Sequence, residues 1–306
     1  MNLNEYLSQP LNEKFEYFMG SRFPTNRTPQ YYVNWDKVVK NTRETEVSLN
    51  TLNYLVGKEN IEEEAFVLFK EQPQLLRTIP CLLASRDSNL EILTFNEKLE
   101  HYKIDFNNID TNNISKYIKF ISETGLFSFL QNDLKSNLVD FVYGVETGLD
   151  SNARKNRGGT QNETILEFNL KKATKGTKLE YLIQATAANI KKKWGVTVPE
   201  PLDKKLKGGR RYDGAVYNPQ TDKVFVIETN YYGGGGSKLK AVCGEFSDMY
   251  ITSLKDAQKV DFIWISDGKG WDTAKNPLRE AFGVIPNIFN LSMVNKGFLR
   301  EMVITG

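Results

Sequence analysis

The chain has 306 residues, 40% of them hydrophobic and 12% aromatic, and a formal net charge of +2. That is length for one large domain or two medium ones, and enough apolar material for a real core, so wholesale disorder is excluded. One histidine, His101, and two cysteines, Cys81 and Cys243, exclude a histidine triad, a multi-histidine metal centre, a structural zinc site and a disulfide framework.

The N-terminal MNLNEYLSQP lacks the apolar stretch of a signal peptide. No apolar run reaches the roughly 18 residues of a membrane span. The expected setting is therefore a reducing cytoplasm, with no membrane partner. Any chemistry must come from carboxylates, lysines, serines or a hard metal ion held through oxygen. Charge is unevenly spread. Residues 1–150 hold 15 Lys/Arg against 22 Asp/Glu, residues 151–215 hold 15 against 6, and residues 216–306 hold 10 against 10. The basic middle block is the electrostatic footprint of a polyanion binder.

In chain order, residues 1–146 predict a helical N-terminal subdomain. FEYFMGS, LNTLNYLVG, EEEAFVLFKE and ISKYIKFISETGLFSFLQNDL place apolar residues three and four apart, between prolines at 10, 24, 29, 73 and 80. Residues 147–160 (TGLDSNARKNRGGT) predict a polar loop carrying Arg154, Lys155 and Arg157. A helix is expected from Gln161, with Thr160 and Glu163 spaced as a capping box. A second is expected over 177–194, with Leu179, Leu182, Ile183, Ala187 and Ile190 on one face.

From Arg210 the period becomes two. Residues 211–218 and 223–231 predict a hairpin around the turn PQTD. Gly233–Gly236 follow, then a helix capped by Ser237, a buried strand over 260–266, a helix capped by Asp272, a short strand at 288–291 and a terminal helix over 295–302. Residues 147–306 thus predict an α/β (α+β) domain, a core sheet flanked by helices. Trp35, Trp194, Trp264 and Trp271 are expected in or near the core.

A four-residue loop at 219–222 pairs Asn218 with Lys223 and therefore sets Asp213 opposite Glu228. Facing carboxylates on a ladder, with Cβ atoms roughly 4.5–5.5 Å apart, repel unless a cation sits between them. Val224, Val226, Glu228 and Asn230 share a face, the valines anchoring it in the core. A Mg²⁺ ion gripped by two carboxylates supplies what phosphodiester hydrolysis needs. Gly214 removes a side chain beside Asp213, as close approach of a phosphate would require. The plain alternative is an ordinary hairpin with Glu228 facing solvent.

The segment GGRRYDGAVYNPQTDKVFVIETNYYGGGGSKLKAVCGEF, with VETGLDSNARKNRGGTQNE upstream, resembles the DpnII/MboI family of type II restriction endonucleases. The resemblance implies a PD-(D/E)xK nuclease-like mixed sheet. It implies a homodimer that cuts double-stranded DNA at GATC, before the G, with Mg²⁺, and is blocked by adenine methylation. Asp213 and Glu228 match the two metal carboxylates of the motif, and Thr229 would offer its carbonyl to the metal. Asn230 stands where the motif usually has lysine; it brings no positive charge and cannot act as a base. Lys238 and Lys240 are the candidate replacements, and Glu163 is a candidate further acid.

GGGGSK lacks the lysine-hydroxyl order of a P-loop, so no nucleotide cofactor is expected. Arg154, Lys155 and Arg157 are candidates for DNA contact, and Arg210 and Arg211 for holding the scissile strand. Two other readings stay open: a DNA-binding protein with a degenerate, non-catalytic nuclease core, and a structure-selective repair nuclease.

Overall fold

The computed structural model describes residues 1–95, 99–152, 154–200 and 209–306, the side chains of 95 and 155–160 excepted. The chain forms two compact units, one of Pro29–Lys155 and one that joins Met1–Thr28 to Asn156–Gly306. The division therefore lies at 155/156, not the expected 146/147. Helices α1 (Leu3–Ser8) and α2 (Leu11–Ser21) belong to the second unit because they bury Leu3, Tyr6, Phe15 and Phe18 in its core. The Tyr6 hydroxyl donates to the Ile288 carbonyl at 3.0 Å there.

The Pro29–Lys155 unit is helical as expected, with α3 (Trp35–Leu52), α4 (Ile61–Glu71), α5 (Ile79–Leu82), α6 (Ile114–Glu123), α7 (Leu126–Asn132) and α8 (Leu138–Asn152). It also holds an antiparallel hairpin, β1 (Asn89–Phe95) and β2 (Leu99–Asp105), that helical periodicity did not announce. Trp35, expected near the core, is 62% exposed. The loop expected over 147–160 is helix instead: α8 runs to Asn152, and α9 spans Arg154–Thr174. Polar residues are tolerated in α8 because its buried carboxylates, Glu146 and Asp150, have hydrogen-bond partners. Glu146 takes both Arg86 amino groups at 2.8 and 2.7 Å, and Asp150 accepts from the Asn34 N–H at 2.9 Å. Thr160 thus sits inside a helix and not at the helix start that the expected capping box with Glu163 required.

Among the described residues, the second unit carries a five-stranded mixed sheet of order β3-β4-β5-β6-β7. The strands are β3 (Glu180–Thr186), β4 (Arg211–Asn218), β5 (Lys223–Tyr231), β6 (Val260–Asp267) and β7 (Ile288–Phe289). β3, β4 and β5 run antiparallel in turn, and β6 and β7 add in parallel. The helix expected over 177–194 is strand up to Thr186, whose hydroxyl then accepts from Asn189 N–H and caps α10 (Ala187–Trp194). EYLIQAT is rich in strand-favouring side chains, and β4 offers it a ladder that a local helical pattern cannot match.

Helix α9 packs on one face of the sheet and α11 (Ser237–Met249) on the other, where Phe246 meets the rings of Phe262 and Trp264 edge-on. Gly214 serves the first of these contacts. A Cβ there would stand 3.1 Å from Leu170 Cδ1 and 3.2 Å from Leu166 Cδ2, so the missing side chain makes room for α9 rather than for a phosphate. Ser237 opens α11 without a side-chain cap bond. Asp272 pairs with Arg22 at 2.7 Å instead of capping α12 (Lys275–Phe282). The chain ends in α13 (Leu291–Asn295) and α14 (Phe298–Thr305) in place of one helix over 295–302. Among the described residues, no helix is long and apolar enough to cross a membrane.

Candidate active site

The β4–β5 hairpin has the register its turn demands: Asn218 pairs with Lys223, and the ladder runs to Gly214 opposite Ile227. It stops one pair short of Asp213 and Glu228. There the Asp213 Oδ2 atom takes the Thr229 N–H at 2.8 Å, so a carboxylate replaces a main-chain acceptor where the strands part. The Thr229 amide is thereby engaged by Asp213; its carbonyl is the group assigned to a metal above.

Val224, Phe225, Val226 and Ile227 are fully buried, and Glu228, next in line, is only 7% exposed. The strand thus carries a carboxyl group to the edge of the core. Burial pushes the Glu228 carboxyl up to about 7, against the pull of Arg210 and with added repulsion from Asp213. The Asp213 carboxyl is also raised, chiefly by burial, with the Thr229 bond opposing and the charge of Glu163 adding to the rise. Glu163 on α9 therefore bears on the same point as the hairpin carboxyls, half-buried and with no capping role.

Arg210 is where the structure departs most from expectation. Its Nε donates to Glu228 Oε1 at 2.8 Å and its Nη1 to Glu245 Oε1 at 2.9 Å, while the guanidinium lies over the Phe246 ring at 5.1 Å. Its main-chain N–H donates to Glu200 Oε1 at 2.5 Å. Burial works against the Arg210 charge, but the contacts with Glu228 and Glu245 outweigh it and hold the group above its ordinary pKa. Arg210 thus supplies positive charge to Glu228 rather than projecting toward a DNA strand. Arg211 is exposed at the start of β4.

Asn230 shares the Glu228 face, and its Oδ1 accepts the Trp264 Nε1–H at 2.6 Å. Lys238 and Lys240 are exposed on the first turn of α11, and among the described residues neither contacts Asp213, Glu228 or Asn230. Arg154 lies in the Pro29–Lys155 unit, its Nε donating to the Tyr32 carbonyl at 3.1 Å. The side chains of Lys155 and Arg157 lie outside the described residues. Sequence reasoning missed Glu200 and Glu245 as partners of Arg210 and read Trp264 as core only. Glu245 carried a usable signal, since it precedes the buried Phe246 on the helix that follows the glycine loop.

That glycine loop is fixed by contact with the Lys269–Thr273 turn. Gly270 N–H donates to the Tyr232 carbonyl at 2.7 Å, and a Cβ on Gly270 would meet the Gly234 carbonyl oxygen at 2.3 Å. Tyr232 stands edge-on to Trp271 at 5.3 Å and packs there.

The donor set suits a hard divalent ion. Asp213 and Glu228 offer carboxylate oxygens in a buried place where their own charges are unfavourable, and a cation would relieve that cost. Among the described residues, no three His, Cys, Asp or Glu side chains form a ready-made metal cage. Mg²⁺ does not require one, since it keeps several waters and is commonly held by one or two carboxylates.

The sequence profile of the DpnII restriction endonuclease family matches residues 14–301. The type II restriction enzyme LlaDCHI of Lactococcus lactis subsp. cremoris is 50% identical over 306 residues, covering 99% of this chain and 98% of its own. The type II restriction enzyme MjaIII of Methanocaldococcus jannaschii is 44% identical over 293 residues, covering 94% and 99%. The type II restriction enzyme DpnII of Streptococcus pneumoniae is 32% identical over 299 residues, covering 94% and 98%. No solved structure gives a significant match.

Proposed function

The chain belongs to the DpnII restriction endonuclease family, a type II site-specific deoxyribonuclease, and from that premise we propose that it cuts both strands of DNA at GATC using the Asp213–Glu228 site with Mg²⁺. One observation carries the site assignment. The buried carboxyl of Glu228 and the half-buried one of Asp213 converge where β4 and β5 part, and burial disfavours the ionised form of each. Converging carboxyls with raised pKa values at a strand end are what a metal-binding catalytic site uses.

Asp213, Glu228 and the Thr229 carbonyl would hold the ion. Bound there, it would activate water and neutralise charge growing on the phosphorus. The chain's own groups do the rest. The Thr229 N–H fixes one Asp213 oxygen, and the other would serve the ion. Arg210 draws Glu228 toward its ionised form against burial and orients it until a competing cation arrives. Glu163 adds negative charge that favours that cation. Asn230 donates hydrogen bonds and takes no proton, so it is not the general base.

Arg154, Lys155 and Arg157 are the proposed DNA contacts, with Arg211 at the hairpin end. Two subunits would each cut one strand, since a palindrome mirrors a two-fold protein. The decisive experiment is a plasmid digest with Mg²⁺, with the fragment ends sequenced. Ends at GATC, lost on adenine-methylated plasmid, support the reading. Ends scattered over sequence, or retardation without cutting, overturn it.

A further inference from the structure

Trp264 is fully buried, and its ring has little freedom. It lies edge-on to Phe246 at 5.2 Å and to Trp271 at 5.8 Å, and its main-chain N–H donates to the Asn287 carbonyl at 2.9 Å. In the parallel β5–β6 ladder Trp264 is the partner of Glu228, so its side chain leaves the sheet on the same face as Glu228 and Asn230. The indole Nε1–H reaches Asn230 Oδ1 at 2.6 Å. An indole nitrogen only donates, so the amide atom it touches must be the oxygen. The Asn230 Nδ2 group is then turned the other way. Among the described residues it has no acceptor, and it is not sealed in the core.

Resting on the nuclease reading above, we propose that Trp264 is a positioning residue that locks the Asn230 amide with both N–H donors aimed at the scissile phosphate or the attacking water. Asn230 thereby supplies the hydrogen-bond donor that lysine gives in the usual motif, without its charge. A freely turning asparagine would present its oxygen part of the time and repel a phosphate. The buried indole removes that state.

The test is a double-mutant cycle on kcat for DNA cleavage, with Trp264→Phe, Asn230→Ala and the double variant. Losing one oriented donor should lower kcat roughly a hundredfold. Trp264→Phe and Asn230→Ala should each do so with KM and DNA affinity in Ca²⁺ within about twofold. The double variant should be no worse than the poorer single by more than about twofold, because both changes remove one unit. Multiplying losses, or full kcat in Trp264→Phe, overturn the proposal. Asn230→Asp, which keeps the acceptor for Trp264 but offers the site no donor, should lose kcat as Asn230→Ala does; retained kcat also overturns it. In metal-free protein, Asn230→Ala should move one of the tryptophan indole N–H resonances upfield, the one that vanishes in Trp264→Phe. An unmoved resonance means the bond is absent. If the wild-type protein cuts no DNA with Mg²⁺, the nuclease reading fails, while the indole resonance still decides whether Trp264 holds Asn230.

Discussion

Arg210 and Glu228 form a buried ion pair, Nε to Oε1 at 2.8 Å, with their side chains 13% and 9% exposed. The same guanidinium reaches Glu245, which is 51% exposed, at 2.9 Å. The inner contact dominates, because an exposed pair is worth little while a buried carboxylate stripped of its partner costs several kcal/mol. Arg210→Met should therefore destabilise the metal-free protein by about 3 kcal/mol at pH 8. Added Mg²⁺ should recover more stability in the variant than in the wild type, since the ion replaces the missing charge. Urea unfolding in EDTA and in Mg²⁺ reads both effects; equal Mg²⁺ gains in the two proteins would separate Arg210 from the ion site.

Glu228 makes the stability of the metal-free protein depend on pH. Its carboxyl is raised from an ordinary 4.5 to about 7 in the folded chain. Between those values the folded state binds more protons than the unfolded one, so this group's contribution falls as pH rises and is lost through pH 7. The difference corresponds to about 3 kcal/mol. Glu228→Gln, which cannot ionise, should gain stability relative to the wild type on going from pH 5 to pH 8. A wild-type minus variant difference that stays flat across this window would place Glu228 in water.

Asp213→Asn should abolish cleavage, by about a thousandfold or more, while Ca²⁺-supported DNA binding is kept. Glu228→Gln should behave alike. Near-normal cutting by Asp213→Asn, in a gel assay of supercoiled plasmid, would remove the hairpin carboxyls from the chemistry.

Gly268 sits at φ +107, and a Cβ there would lie 2.2 Å from the Tyr232 carbonyl oxygen. Both the backbone angle and the contact forbid a side chain, so Gly268→Ala should cost about 3 kcal/mol or more and disturb the anchored glycine loop. A melting temperature within about 2 °C of the wild type would show that the turn can open freely.

Arg154 and Arg157 enter through the salt dependence of DNA binding. Each phosphate contact contributes about 0.9 to the slope of log K against log salt. Replacing both by alanine should lower the slope by about 2 if both meet phosphates. An unchanged slope would assign both charges to solvent.

Much of the site was legible because it is local. The four-residue turn dictates that Asn218 meets Lys223, and that single pairing carries the register up to Gly214 and Ile227 and brings Asp213 and Glu228 to the same end. Val224 and Val226, on the face of Glu228, announced a strand anchored in the core there, and both are fully buried. The 177–194 segment misled because its apolar spacing suits a helix as well as an outer strand, and only the presence of β4 chooses between them. The polar 147–160 run misled for the converse reason. Its first part continues α8, which is supported from far away in sequence: Arg86 and Asn41 take Glu146 just before the run, and the Asn34 N–H takes Asp150 within it.

Residue types and a turn length were thus sufficient, alone, for the hairpin, its paired carboxyls and the family resemblance, since each depends on neighbours along the chain. Tertiary structure decided what those carboxyls face. Arg210 on Glu228 and Glu245, Leu166 and Leu170 over Gly214, and the Trp264 indole on Asn230 all join residues whose meeting depends on which strands and helices pack together. Burial, which raises the carboxyl pKa values and gives these contacts their strength, is a property of the packed whole and is written in no single segment.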